Sequence, residues 1–417
     1  MMPSVYFYLL ATIMLSLNLV RLAGLAISDW LYFIALGLTF LETLIYEQKN
    51  FRCWTKNPLI WPTSLILFGA VLSASRTTDI QVALIEVFQQ VYVITVFVSL
   101  TWIMFRRGYG DWTIKAFIFS GLFTAIVALT DYLTGSNFGP ILSGTPNAQL
   151  WYRYAGTLGH PNKFGYFLVL TSLLTLAKWS NLHKKHLIQG FWLMAFAIQT
   201  LGIVLSGSIT AYLGLLTGTF ILFLASKQIR KKILLVSLPT LLIVGMAFTI
   251  LFILGSPITR QVNLGDNVVV QSLNRVEDIT AQSRTVIYQQ ALNEAMMSPF
   301  IGVGYDQIST SGIDTDSRIL TTSVHNFFLQ VFYAGGIFSL LGWVFIFLYL
   351  GWHALKILLN KKINEILILS LCAIVFAILL MDQFQDSIYP REKWLVVALF
   401  TSAYLNLYSE KPKKVTS

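Results

Sequence analysis

Residues 323–337 read Ser-Val-His-Asn-Phe-Phe-Leu-Gln-Val-Phe-Tyr-Ala-Gly-Gly-Ile and open an apolar stretch that runs on to residue 352. From 325 to 352 it contains no Asp, Glu, Lys or Arg. Crossing a bilayer takes about 20 apolar residues, so this stretch can span one, with a histidine and an asparagine at its rim. A titratable group in such a place is expensive to keep and marks a candidate functional site.

The pattern recurs along the chain. Of the 417 residues 56 % are apolar and 12 % charged, against roughly 25 % charged in soluble domains, and the mean hydropathy is +0.68. Twelve apolar stretches lie near 4–21, 30–46, 59–74, 81–105, 113–133, 163–177, 187–206, 208–225, 233–254, 325–352, 364–382 and 393–408. The predicted fold is all-α: a polytopic integral membrane protein of about twelve transmembrane helices, with residues 1–417 forming one membrane domain. The seventh and eighth stretches are separated by Ser206-Gly207-Ser208 alone, as a tight hairpin or one broken helix. The first stretch lacks the basic lead-in and small-residue cleavage site of a signal peptide.

Lysine and arginine give the orientation. With the N-terminus inside, nineteen of the 29 fall on the inner side, in short connections such as Lys227-Arg230-Lys231-Lys232, while the longer outer segments hold ten. This is the positive-inside pattern, and it predicts both termini in the cytoplasm. The net charge of +10 therefore reports topology and anionic lipid headgroups rather than nucleic acid. Cys53 and Cys372 are far apart in sequence, and the outer segments hold no cysteine, so no disulfide framework is expected.

Two outer segments exceed a simple connector: 134–162, rich in Gly, Pro, Asn and Ser, and 255–322, the large extracytoplasmic loop between the ninth and tenth spans. Loops of such length are functional or disordered. Within the second, 283–297 reads as an amphipathic helix capped by Ser283 and ended by Pro299. Arg284 opens it, where the helix dipole disfavours a cation. An anion held by Arg284 and the free N–H groups of the helix start would account for that placement; an ion pair with Glu277 or Asp278 is the alternative.

His325 likewise stands near a helix start, with Thr322 or Ser323 as cap. The dipole disfavours the imidazolium there, so the ring is neutral and suited to general-base work, or it is a structural histidine bonded to a loop carbonyl. Arg153 lies where the first loop returns to the membrane and can hold a phosphate, while Tyr152 and Tyr154 read as interfacial anchors. His160-Pro161-Asn162 reads as a turn, with Asn162 capping the sixth span. Asp314 and Asp316 form a weak metal signal, better explained as solvated acids. No phosphate loop, dinucleotide fingerprint or nucleophile elbow is present. The acids Glu42, Glu86, Asp131 and Asp382 lie near span ends rather than as a mid-plane set, which argues against coupled transport.

Four stretches carry a family resemblance: Gly156-Thr157-Leu158-Gly159-His160-Pro161-Asn162; Leu205-Ser206-Gly207-Ser208-Ile209-Thr210-Ala211; Ser283-Arg284 followed by Ala291-Leu292, Pro299 and Gly302-Val303-Gly304; and His325-Asn326 with Gly335-Gly336. In their order, and in the layout of spans around a large outer loop, the chain resembles the bacterial O-antigen ligase and O-antigen polymerase superfamily from about residue 150 to 408. The resemblance implies a glycosyltransferase of the bacterial inner membrane with its active site on the outer face. It would work without metal or cofactor, moving a glycan from an undecaprenyl diphosphate lipid to a glycan or glycolipid acceptor, alongside other polysaccharide-assembly proteins. His325 would be the base, with Asn326 orienting it or the sugar, and Arg284 a diphosphate ligand.

The family often places an arginine where this chain has Ile209. Arg153 is the expected substitute, with Arg318 and Arg391 behind it. Ser339 departs from the family pattern and favours a polymerase of repeat units over a ligase acting on a lipid A core. Transfer to protein is a weaker variant, and a lipid-linked glycan flippase is the reading from another class.

Overall fold

The computed structural model describes residues 2–17, 21–22, 25–46, 57–76, 80–143, 153–181, 186–232, 281–304, 324–360, 363, 365–385 and 390–409. These residues are almost wholly helical; the strand pairing among them is one short antiparallel ladder, Arg21–Leu22 with Leu25–Ala26. The helices are α1 (Pro3–Ile13), α2 (Ile27–Tyr46), α3 (Ile60–Ala74), α4 (Ile80–Val93), α5 (Thr101–Met104), α6 (Gly110–Thr134), α7 (Phe138–Ser143), α8 (Pro161–Asn181), α9 (His186–Ser206), α10 (Ile209–Ala225), α11 (Ala281–Met297), α12 (Phe327–Leu359), α13 (Ile366–Met381) and α14 (Arg391–Ser409).

Helices overlie eleven of the twelve apolar stretches. The ninth, 233–254, lies outside the described residues, as do most of the large loop, Tyr152, Asp314, Asp316 and Arg318. Among the described residues four helical runs are long and apolar enough to cross a membrane by length and composition: Ile27–Tyr46, Ala83–Thr134, Leu187–Ser206 and Phe327–Leu359. The second of these joins α4, α5 and α6 through two π-helical stretches, and Gly108 (φ 88°, ψ 9°) breaks the helical backbone between the two spans read from sequence.

α8 is the central post. Every residue from Phe164 to Ala177 is buried, as expected of a helix apolar all round, and it packs on α6, α9, α10 and α13. α9 leans on α8 and α6, whereas α10 leans on α8 and α13. The Ser206-Gly207-Ser208 junction is therefore a true turn, with Gly207 at φ 54° and Ser208 capping α10 by accepting Ala211 N–H.

α12 packs along α3 through small residues. A methyl group on Gly69 would lie 2.7 Å from Gly335 O, and one on Gly342 would lie 2.5 Å from Pro62 O. Close backbone approach of this kind is how helices associate where no hydrophobic effect drives them together. Ser339 sits in the same seam, fully buried, with its hydroxyl donated to Ile66 O at 3.2 Å. Ser339 therefore takes part in the packing of α12 on α3.

α12 is not continuous. Gly336 (φ 65°, ψ −164°), the tenth residue of the helix, breaks it. The break is filled by the turn that follows α11: Val303 N donates to Tyr333 O at 2.7 Å, Gly304 N to Ala334 O at 3.3 Å, and Ile337 N to Pro299 O at 2.8 Å. Ser73 of α3 donates to Ala334 O from the other side at 2.6 Å. Two sequence motifs, Gly302-Val303-Gly304 and Gly335-Gly336, thus form one backbone clasp.

Four acids inside the bundle have identified partners. Glu42 takes Arg107 at 2.8 Å and the Ser4 hydroxyl at 2.5 Å. Asp29 takes Arg391 at 2.7 Å and Tyr92 OH at 2.7 Å. Asp131 accepts Phe138 N and Gly139 N and so ties down the turn after α6. Asp382 and Lys393, both fully buried, meet at 2.9 Å, and the Lys393 ammonium lies 3.6 Å from the centre of the Phe327 ring. Glu42, Asp29 and Asp382 thus link helices, while Asp131 fixes a turn.

Two stability predictions follow from this architecture. Gly336→Ala puts a methyl group against Phe300 O and Gly302 N and demands a positive φ of a residue with a Cβ; it should lower stability by about 2–4 kcal/mol. Gly37→Ala, in α2 with open space around it, should be neutral or stabilising by up to about 1 kcal/mol. Thermal unfolding in detergent compares them, and equal midpoints would show that the clasp contributes little. Lys393→Met strands a buried carboxylate and should cost about 3–5 kcal/mol, with most of it recovered in Lys393→Met/Asp382→Asn. No recovery in the double variant would mean that the loss comes from packing and not from charge.

Candidate functional site

Val324, His325 and Asn326 lead into α12. The Asn326 side chain accepts Leu329 N–H at 3.0 Å, so Asn326 is the cap, in place of Thr322 or Ser323. An asparagine cap contributes about 1 kcal/mol. His325 stands one residue outside the helix at φ 51°, the sole non-glycine with positive φ among the described residues. A non-glycine backbone in this region costs about 1–3 kcal/mol and persists where its surroundings over-determine it.

Three contacts do so here. Tyr288 OH donates to His325 O at 3.3 Å. Asn326 Nδ2 donates to Gln383 O at 3.2 Å, and Phe327 N donates to Asp382 O at 2.9 Å. The imidazole side chain itself is partly exposed.

Arg153 is drawn to the other end of the same region. Its Nε donates to Ser206 O at 2.7 Å, and a terminal nitrogen donates to Asn162 Oδ1 at 2.5 Å. Tyr154 N adds a backbone bond to Leu205 O at 3.0 Å, and burial pushes the Tyr154 phenol up, which keeps it a neutral hydroxyl. The turn at Gly207 frees the Ser206 carbonyl, and the guanidinium takes it. Arg153 therefore stands at the α9–α10 junction.

Asn162 does not cap α8 as the sequence reading had it. His160 does: its Nδ1 accepts Asn162 N–H at 3.2 Å. This leaves the Asn162 side chain for Arg153. A ring nitrogen that accepts a backbone N–H is unprotonated, so a neutral His160 carries its proton on Nε2.

The two halves meet at residues 382–385, which follow α13. Gln383 O receives Asn326, and Gln385 Nε2 donates to Asn162 O at 3.4 Å. The turn is anchored from below by the buried Asp382–Lys393 pair. The His325-Asn326 segment and the Arg153-Asn162 segment, more than 160 residues apart in sequence, are thus tied to one short piece of chain.

Arg284 lies in α11, which begins at Ala281, so it is the fourth residue of the helix rather than the first; its side chain lies outside the described part. It is one helical turn before Tyr288. Arg318 lies outside the described residues. Arg391 is engaged by Asp29 and by the Ser28 hydroxyl at 2.9 Å, which makes it a bundle residue. Among the described residues no three His, Cys, Asp or Glu side chains gather as a metal site. Sequence reasoning missed Tyr288, Lys393, Gln383 and Gln385. Lys393 alone gave a signal, as a charge opening an apolar stretch.

No curated protein matches the chain. Residues 193–344 match the family described as O-antigen ligase. The matched part runs from α9 to the middle of α12 and takes in the Ser206-Gly207-Ser208 turn, Arg284, the clasp and His325. This match supports the resemblance of the chain to the O-antigen ligase and polymerase superfamily.

Proposed function

We propose that the protein is a metal-independent glycosyltransferase of the bacterial inner membrane, with twelve spans in one membrane domain, both termini cytoplasmic and its site on the outer face. The donor is a glycan on undecaprenyl diphosphate, and the product is a polymer of repeat units. The acceptor hydroxyl oxygen attacks the anomeric carbon while the bond from that carbon to the diphosphate oxygen breaks. His325 takes the hydroxyl proton. Arg284 and Arg153 neutralise the charge that develops on the departing diphosphate, where fixed cations in a poorly hydrated site act most strongly. Asn326 orients the base by capping α12 instead of touching the sugar.

The observation that supports this reading best is that residues 383 and 385 hydrogen-bond Asn326, the neighbour of the strained His325, and Asn162, the partner of Arg153. Arg153 beside the α9–α10 junction also answers the absence of an arginine at position 209. A second reading, a ligase that moves the finished glycan onto a lipid A core or similar acceptor, is favoured by the description of the matched family. Both readings share the donor, the base and the leaving group.

Purified protein with a lipid-diphosphate-linked oligosaccharide, chelator present and products separated by size, tests the proposal. His325→Ala should lose activity by about 10²–10⁴-fold, the range of general-base catalysis. Arg153→Ala and Arg284→Ala should each lose about 10–10³-fold, the range for removal of one electrostatic stabiliser. A ladder of repeats makes the protein a polymerase, and single-step transfer that needs an added core acceptor makes it a ligase. Full activity in His325→Ala removes the base assignment. Lipid translocation across vesicles without any new glycosidic bond would establish a flippase instead.

A further inference from the structure

The left-handed backbone at His325 needs a partner for its displaced carbonyl, and α11 supplies it. Tyr288 is partly buried and its hydroxyl donates to His325 O. Around this bond α11 is seated on α12 by side-chain packing: Ala291 and Ala295 lie buried against Val324 and Tyr333. Glu294 Oε2 accepts Tyr333 OH at 2.9 Å. Below that, the clasp runs from the end of α11 into the break at Gly336. One helix thus carries Arg284 in its first turn, touches the backbone of His325 one turn later, and is locked to α12 at its far end.

We propose that Tyr288 is a positioning residue, through which the docking of α11 on α12 holds His325 in the left-handed conformation that presents its imidazole to the acceptor. The inference rests on the transfer reading above and extends it: the helix that carries a donor-binding arginine also sets the geometry of the base. Tyr288 touches neither substrate nor reacting atoms. Its contribution lies in keeping the ring within the narrow range of positions from which proton transfer is efficient, where small misplacements slow the chemical step more than they weaken binding. Without the phenol hydroxyl, one of the three contacts that hold this backbone is lost, and the strained conformation gains freedom to shift.

Tyr288→Phe removes one oxygen and keeps the ring that packs on α12, so the protein should fold with an unchanged thermal midpoint. The experiment uses full-length protein in detergent with the lipid-diphosphate-linked oligosaccharide as donor. The expected result is a fall in kcat of about 3–10-fold with donor KM within about twofold of wild type, the split expected when an interaction acts in the transition state and not in binding. The rate of diethyl pyrocarbonate modification at His325, read by mass spectrometry, should rise in the same variant. Unchanged kcat together with an unchanged modification rate overturns the inference. A rise in KM alone also overturns it, because it would make Tyr288 a binding residue. Wild-type protein that forms no glycosidic bond brings down the transfer reading and this inference with it, whereas an active wild type beside an indifferent Tyr288→Phe brings down this inference alone.

Discussion

A helix broken inside an apolar bundle exposes backbone N–H and C=O groups where no water can reach them, and each unsatisfied group there costs several kcal/mol. The break at Gly336 creates this problem in α12, and the rest of the structure is arranged around its solution. The turn 299–304 donates to Tyr333 O and Ala334 O and accepts from Ile337 N. Ser73 completes the set from α3. Because backbone must meet backbone, Gly302 and Gly336 cannot carry a Cβ, and Gly69 brings α3 close to the same point. The same clasp holds α11, which makes the position of the loop helix a consequence of the broken span.

The ionic residues obey a related constraint. Charges taken out of water persist when they are paired and hydrogen-bonded, and Glu42, Asp29 and Asp382 each meet an arginine or lysine of another element. The Asp382–Lys393 pair has the largest consequence. It stands beneath the turn that receives both Asn326 and Asn162, and its ammonium faces the ring of Phe327, two residues from His325. The buried ion pair therefore lies beside the start of α12, and α11 packs against the same segment.

The site shows what a small sequence motif can mean in three dimensions. In the pair His325-Asn326, the asparagine is a helix cap and a strut to Gln383, while the histidine bears the strain of the entry into the helix. In His160-Pro161-Asn162 the roles are reversed: the histidine caps α8 and the asparagine receives Arg153. Reading caps from residue preference alone gave Asn162 and Thr322 or Ser323, because several neighbouring residues could serve and the choice depends on where the rest of the chain offers another partner.

By itself the sequence determined the membrane class, the helical stretches and the two motif residues at the rim, because apolar run length and helix-breaking residues are local properties. Arg284, His325 and Arg153 stood out because charged or titratable side chains are costly where they lie. The tertiary structure alone decided that Arg153 reaches the α9–α10 junction, that Arg391 belongs to Asp29, that Ser339 is a packing residue, and that Tyr288 and the 382–385 turn support the histidine. Each of those facts depends on which distant segment fills the hydrogen-bonding and steric space left by another, and local sequence does not encode that complementarity.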